Sequence, residues 1–167
     1  MSHQDDLLGR LEGMIRQVAE YNPASDGERL RRAYLFAARA HAGQSRRSGE
    51  PYITHLLSVA EIMVELRLDD DTLTAALLHD VVEDTPVTQE QVQAQFGDDV
   101  AHMVDGVTKI SSLSMANPEA RKAETYRKLI LSTAADPRTV LIKLGDRLHN
   151  MRTLEHMAPE RQRDIAQ

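Results

Sequence analysis

Apolar residues recur along this chain at helical spacing almost from end to end. Leu7, Leu8, Leu11, Met14, Ile15 and Val18 repeat at i, i+3 and i+4, the one-sided stripe of an amphipathic helix. "SDGE", Ser25 to Glu28, has the form of a capping box, and Leu30, Ala33, Tyr34, Ala37 and Ala38 continue from it as a second apolar face that Gly43 closes. Beyond the polar stretch "RRSGEPY", a third helix is expected from about Thr54 to Arg67. Asp71 is the expected cap of a fourth, through Leu73, Leu77 and Leu78. Pro86 stops it, because the residue before a proline avoids helical backbone. Thr88 and Gln91 in "TQEQ" form another capping box, opening a short helix that ends at Gly97, and Asp98 to Lys109 follows. "SSLSMANPE" reads as a loop, with Asn117 as cap and Pro118 starting a helix to Thr133. A last helix is expected from Pro137 to about Leu154. Strand-like alternation, internal repeats and low-complexity linkers are absent. The expectation is therefore an all-α bundle of roughly eight helices, with an N-terminal helix over 1–24 and the main domain over 25–167.

Composition narrows this further. A chain of 167 residues holds one core comfortably and two only with difficulty. It has no cysteine, which removes disulfides and thiolate metal or redox sites and fits a cytoplasmic protein. No apolar run nears the ~20 residues that span a bilayer, and the N-terminus has neither the basic nor the apolar segment of a secretion signal. No membrane association is expected. A net charge of -6 argues against direct nucleic-acid binding, so a polyanionic ligand would need a local basic pocket. Arg46 and Arg47 could form one, although two arginines in a loop are usually just solvated.

The chemistry begins at "LLHDVVEDTP". On a continuous helix His79 and Glu83 are four apart, as are Asp80 and Asp84, so all four project from one side. Like charges at that spacing cost ~0.2–0.5 kcal/mol per pair, and acids at a helix C-terminus oppose the macrodipole by ~0.3–1 kcal/mol. A compensating cation would explain their presence. The plain alternative is a solvated acidic face beside a buried histidine. Two further residues extend the set. His55 opens the preceding helix. Asp146 lies in "LIKLGDRLHNMRT", sharing a face with Asn150, while Leu144, Leu148 and Met151 form the apolar side of that helix. Two imidazoles and two carboxylates suit manganese, iron or zinc better than calcium, and four protein ligands leave positions for water and substrate.

The order His55, His79-Asp80, Asp146 resembles the metal-binding pattern of the HD phosphohydrolases. "HAGQSRRSGEPYITH", "AALLHDVVEDT", "FGDDVAHMVDGVTKI" and "VLIKLGDRLHNMRTL" are similar to the N-terminal hydrolase domain of the RelA/SpoT homologues, from about Leu30 onward. The resemblance implies an HD-domain fold and a Mn²⁺ ion held by His55, His79, Asp80 and Asp146, with Glu83 and Asp84 assisting the attacking water. It implies that Arg46 stacks on guanine, that Arg47 lies near the pyrophosphates with Ser48 assisting, and that Asn150 and Thr153 contact the nucleoside. The implied reaction removes the 3′-pyrophosphate of ppGpp or pppGpp in the stringent response. Retention of the HD and ED residues implies an active hydrolase. A synthetase domain is expected to follow in a longer protein, unless the hydrolase stands alone.

Three positions depart from the family's usual residues: Arg47 for lysine, Leu56 for proline and Gly145 for alanine. Gly145 is expected to loosen its helix, since glycine costs ~1 kcal/mol relative to alanine. His41 reads as a packed or supporting histidine, His102, His149 and His156 as surface or helix–helix contacts, and Lys109 and Lys143 as solvated, though both could reach phosphates. Another nucleotide substrate (a dNTP, a cyclic nucleotide or NADPH) and a non-catalytic nucleotide-sensing domain are the competing readings.

Overall fold

The computed structural model describes residues 3–111, 127 and 136–154, and the loop and helix expected between Ser112 and Thr133, apart from residue 127, lie outside them, as does His156. Among the described residues the regular structure is helical: α1 His3–Tyr21, α2 Gly27–Ala40, α3 Ile53–Glu65, α4 Asp70–Leu78, α5 Val81–Asp84, α6 Gln89–Phe96, α7 Asp98–Ser111 and α8 Pro137–Arg152. Strand-type pairing among them is limited to a bridge between Ser45 and Pro51. No described helix is long and apolar enough to cross a membrane.

The helix at the centre is α4. Every residue from Thr72 to Leu78 is buried, and α2, α3, α7 and α8 all pack on it. A helix apolar on all sides can satisfy itself only by being enclosed. Around it, α1 buries Leu7, Leu11, Met14 and Val18, and α2 buries Leu30, Ala33, Tyr34 and Ala37, the stripes the periodicity marks. Leu8 is the exception on α1 and stays exposed. Leu56, at the position where proline is usual, is fully enclosed in the core. Arg10 fastens α1 to α3 through Glu61 and Ser58, with its Nη2 2.9 Å from the serine hydroxyl.

The helix starts differ from expectation by a residue or two. Asp26, not Ser25, caps α2, its carboxylate accepting from the Arg29 amide at 3.0 Å. Asp69, not Asp71, caps α4 through the Thr72 amide at 2.9 Å. The displaced acids serve other elements. Asp70 accepts from the Asp26 amide at 2.7 Å, and Asp71 pairs with Arg29 at 2.6 Å. Runs of equivalent cap residues are resolved by tertiary partners, which sequence pattern does not reveal. The Thr88–Gln91 capping box opens α6 as expected.

The end of α3 carries a testable strain. Arg67 has φ +54, the left-handed backbone region that favours glycine. Its amide bonds the Val64 carbonyl and the Leu68 amide bonds that of Met63, the paired bonds of a Schellman motif. Arg67→Gly is therefore expected to raise unfolding stability by about 0.5–1 kcal/mol in denaturant titration, less whatever glycine adds to unfolded-chain entropy. A loss of stability would show that the arginine side chain outweighs its backbone cost.

Two expectations about the site-bearing helices are corrected. The fourth helix is not continuous through Asp84. It stops at Leu78, His79 and Asp80 form a turn, and α5 is a single turn closed by extended Thr85 before Pro86. On α8 the apolar residues Leu144, Leu148 and Met151 are 53%, 40% and 45% exposed, whereas Thr139, Ile142, Gly145 and Asp146 are buried. Hydrophobic spacing pointed to the wrong face because the buried face carries small and polar site residues. Gly145 does not merely loosen the helix. It packs against α3: a Cβ there would come within 2.5 Å of the Met63 terminal methyl, which is free to swing aside, and would meet Val59 and Ile62 at ordinary contact distance.

Candidate functional site

Three elements deliver the polar cluster to one place. α3 supplies His55 from its first turn, the turn after α4 supplies His79 and Asp80, and α8 supplies Asp146. His55, His79, Asp80 and Asp146 are all at least nine-tenths buried. His79 Nε2 lies 3.2 Å from Asp80 Oδ2 and His55 Nε2 lies 3.2 Å from Asp146 Oδ1, and the crossed pairs are at 3.8 and 4.0 Å. Ligand atoms of His55, His79 and Asp80 fall within 4.8 Å of one another, so these three form a buried group able to hold a metal ion.

The donor chemistry fits a cation. Both Nε2 atoms are buried and neither makes an aligned hydrogen bond, although carboxylate oxygens surround them. Orphaned buried nitrogens are costly unless their lone pairs are used. The opposite edges of both rings are engaged: His79 Nδ1 meets the Ala76 carbonyl at 2.8 Å, and His55 Nδ1 meets His149 Nδ1 at 2.8 Å. The carbonyl contact needs a proton on His79 Nδ1, which leaves its Nε2 free to coordinate whenever the ring is neutral.

The electrostatics separate the two imidazoles. Burial acts to lower His79, but the charge of Asp80 and then Asp146 outweighs it and holds the ring up at about 9. His55 is held below the usual histidine value by burial, with Asp146 opposing only in part. Burial, the neighbouring His55 and Arg46 push His149 down to about 4. Asp80 and Asp146 stay far below the usual carboxylate range despite their burial. His79 is the largest such influence on Asp80, and His55, His79 and Lys143 act on Asp146.

The surrounding groups connect the cluster to its rim. Lys143, expected to be solvated, bonds Asp146 Oδ2 at 2.7 Å. Tyr52 Oη lies 2.7 Å from Asp80 Oδ2 and 3.0 Å from Asp84 Oδ2. It stacks on His41 at 4.5 Å, so His41 supports this tyrosine. Asp84 and Glu83 are exposed on α5, and Gln44 Nε2 donates to the Asp84 carbonyl at 2.9 Å. The arginine loop is a small closed turn, Arg46 bonding Glu50 through their backbones at 2.8 Å and Gly49 adopting φ +89.

From that loop Arg46 reaches across to α8, where Nη2 donates to Asn150 Oδ1 at 2.6 Å, and Asn150 Nδ2 donates to Asp146 Oδ1 at 2.8 Å. Arg47 and Ser48 stand exposed on the same loop, the serine 3.3 Å from Glu50. Thr153 closes α8 by donating to the carbonyls of His149 and Asn150. Sequence pattern overlooked Tyr52, gave His149 its helix–helix contact without the ring it meets, and left Lys143 solvated where it bonds Asp146. Only the i, i+3 spacing of Lys143 to Asp146, and of His149 to Asp146, hinted at two of them.

The profile of the HD domain family matches residues 33–167. The bifunctional (p)ppGpp synthase/hydrolase SpoT of Escherichia coli K12 is 48% identical over 155 residues, covering 93% of this chain and 22% of that protein. A GTP pyrophosphokinase of Myxococcus xanthus is 48% identical over 153 residues, covering 90% of this chain and 20% of that one. The chain thus spans about a fifth of the length of the curated relatives it matches. A solved structure of a metazoan ortholog of SpoT, which hydrolyzes ppGpp and plays a role in starvation responses, superposes with a TM-score of 0.68 at 34% identity. That match covers 84% of this chain and 81% of the other.

Proposed function

Because this chain belongs to the RelA/SpoT family of HD domains, we propose that it hydrolyses the 3′-pyrophosphate of ppGpp or pppGpp, releasing pyrophosphate with GDP or GTP. The observation that carries the reading is the pair of buried, orphaned Nε2 atoms of His55 and His79 facing two carboxylates, beside an arginine loop on an acidic protein.

In this reading His55, His79, Asp80 and Asp146 hold a divalent cation, Mn²⁺. When bound, the ion supplies a water of lowered pKa and polarises a phosphoryl oxygen. Glu83 and Asp84 orient the attacking water and take its proton. Their exposure at the rim, one turn beyond Asp80, suits them to pass the proton to solvent. Arg46 gives its planar guanidinium to the guanine face, and Asn150 gives its amide to the nucleoside. The two now bond each other, so nucleotide binding exchanges one satisfied hydrogen bond for others rather than uncovering bare groups. Arg47 offsets pyrophosphate charge, Ser48 and Thr153 add hydroxyl contacts, and Lys143 screens Asp146. Within cells we place the domain in the cytoplasm, followed by a synthetase domain in the longer protein.

The test is pyrophosphate release with added Mn²⁺, expected from pppGpp and ppGpp but not from dGTP or NADPH. Equal turnover of dGTP would move the chain to a general nucleotide hydrolase. Tight ppGpp binding without turnover, with metal bound, would make it a sensor.

A further inference from the structure

His149 is half-buried on α8 with its Nδ1 2.8 Å from His55 Nδ1 and its ring 4.8 Å from that of His55. Two imidazole nitrogens at that distance share one proton, so one donates and the other accepts. The choice has a consequence at the far edge of His55. If His55 Nδ1 lacks the proton, Nε2 carries it and points an N–H toward Asp146 Oδ1 at 3.2 Å. If His55 Nδ1 has the proton, Nε2 presents a lone pair to the space it shares with His79 and Asp80. A neutral imidazole can do only one of these.

We infer that His149 is a positioning residue for the metal centre: its Nδ1 accepts from His55 Nδ1–H and so fixes His55 in the tautomer whose Nε2 can ligate a cation. The inference rests on the proposed reading of His55 as a ligand. Ligating histidines generally donate their second ring N–H to an oxygen acceptor, as His79 does to the Ala76 carbonyl. For His55 the acceptor is another histidine, and this demands that His149 stay neutral with its own proton on Nε2. The contact also ties α3 to α8, so the helix that supplies Asp146 also orients the ligand from α3.

The experiment is Mn²⁺ titration by calorimetry on the full chain and on three variants. His149→Phe keeps a planar ring and removes the acceptor, whereas His149→Asn puts an amide oxygen close to the position of Nδ1. His149→Phe is expected to weaken Mn²⁺ binding about 10- to 100-fold, the usual range for lost outer partners, and His149→Asn is expected to restore affinity close to that of the parent chain. Any other ordering of the two overturns the inference, because a purely packing role would favour phenylalanine. Asp80→Ala serves as the separate check. If it too leaves Mn²⁺ affinity unchanged, the metal reading itself fails, whereas loss there with no effect of His149→Phe sinks only the role of His149. In the Zn²⁺-loaded parent chain, long-range ¹⁵N–¹H spectra should find the His55 proton on Nδ1 and the His149 proton on Nε2, and a proton on His149 Nδ1 would refute the assignment.

Discussion

Asp80→Ala is expected to reduce pyrophosphate release to background and to weaken Mn²⁺ binding by more than about 100-fold, since even a ligand's outer partners are worth 10- to 100-fold. The fold should survive. Asp80 sits in the turn between α4 and α5, outside the apolar shell that encloses Leu73, Leu77 and Leu78. Its removal strips His79 of the largest charge holding that ring up. A buried imidazole answers by losing its proton, not by remaining charged without a partner. Neutral His79 keeps its bond to the Ala76 carbonyl. Far-UV circular dichroism should therefore remain helical while calorimetry records the lost metal. Retained turnover in Asp80→Ala would refute the proposed ligand set.

Arg46→Ala should act on binding and leave the chemistry nearly untouched. KM for pppGpp is expected to rise about 10- to 100-fold, matching the loss of charge-assisted contacts worth ~1.5–3 kcal/mol. kcat should change little, because the guanidinium bonds Asn150 and lies 5.8 Å over the Tyr52 ring. Arg46→Lys should recover only part of the affinity, since an ammonium lacks the flat surface for stacking on a base. A KM equal to that of the parent chain would remove Arg46 from nucleotide recognition. A fall in kcat alone would instead tie it to the reacting centre through Asn150 and Asp146.

Much of the architecture was legible because helical burial has a short period. The faces of α1 and α2 follow directly from residues three and four apart, and the capping box of α6 is a local bond pattern written within four residues. Legibility failed where a local rule had competing solutions. Ser25, Asp26, Asp69, Asp70 and Asp71 are all able caps, and contacts between the starts of α2 and α4 decide among them. It failed on α8 for a different reason. That helix buries Thr139, Gly145 and Asp146 and exposes Leu144, Leu148 and Met151, so polarity and burial are inverted where a polar site replaces apolar packing.

The order of the chain alone specified an all-helical protein and singled out His55, His79, Asp80 and Asp146 by residue type, charge crowding and resemblance. Those are properties of short windows and of composition. The break after Leu78, the pairing of His55 with His149, the bridge from Tyr52 to Asp80 and Asp84, and the bond of Lys143 to Asp146 belong to the folded state. His55 and His149 lie 94 positions apart. Only the packing of α8 on α3 brings them within hydrogen-bond range, and no local periodicity encodes a contact across that separation.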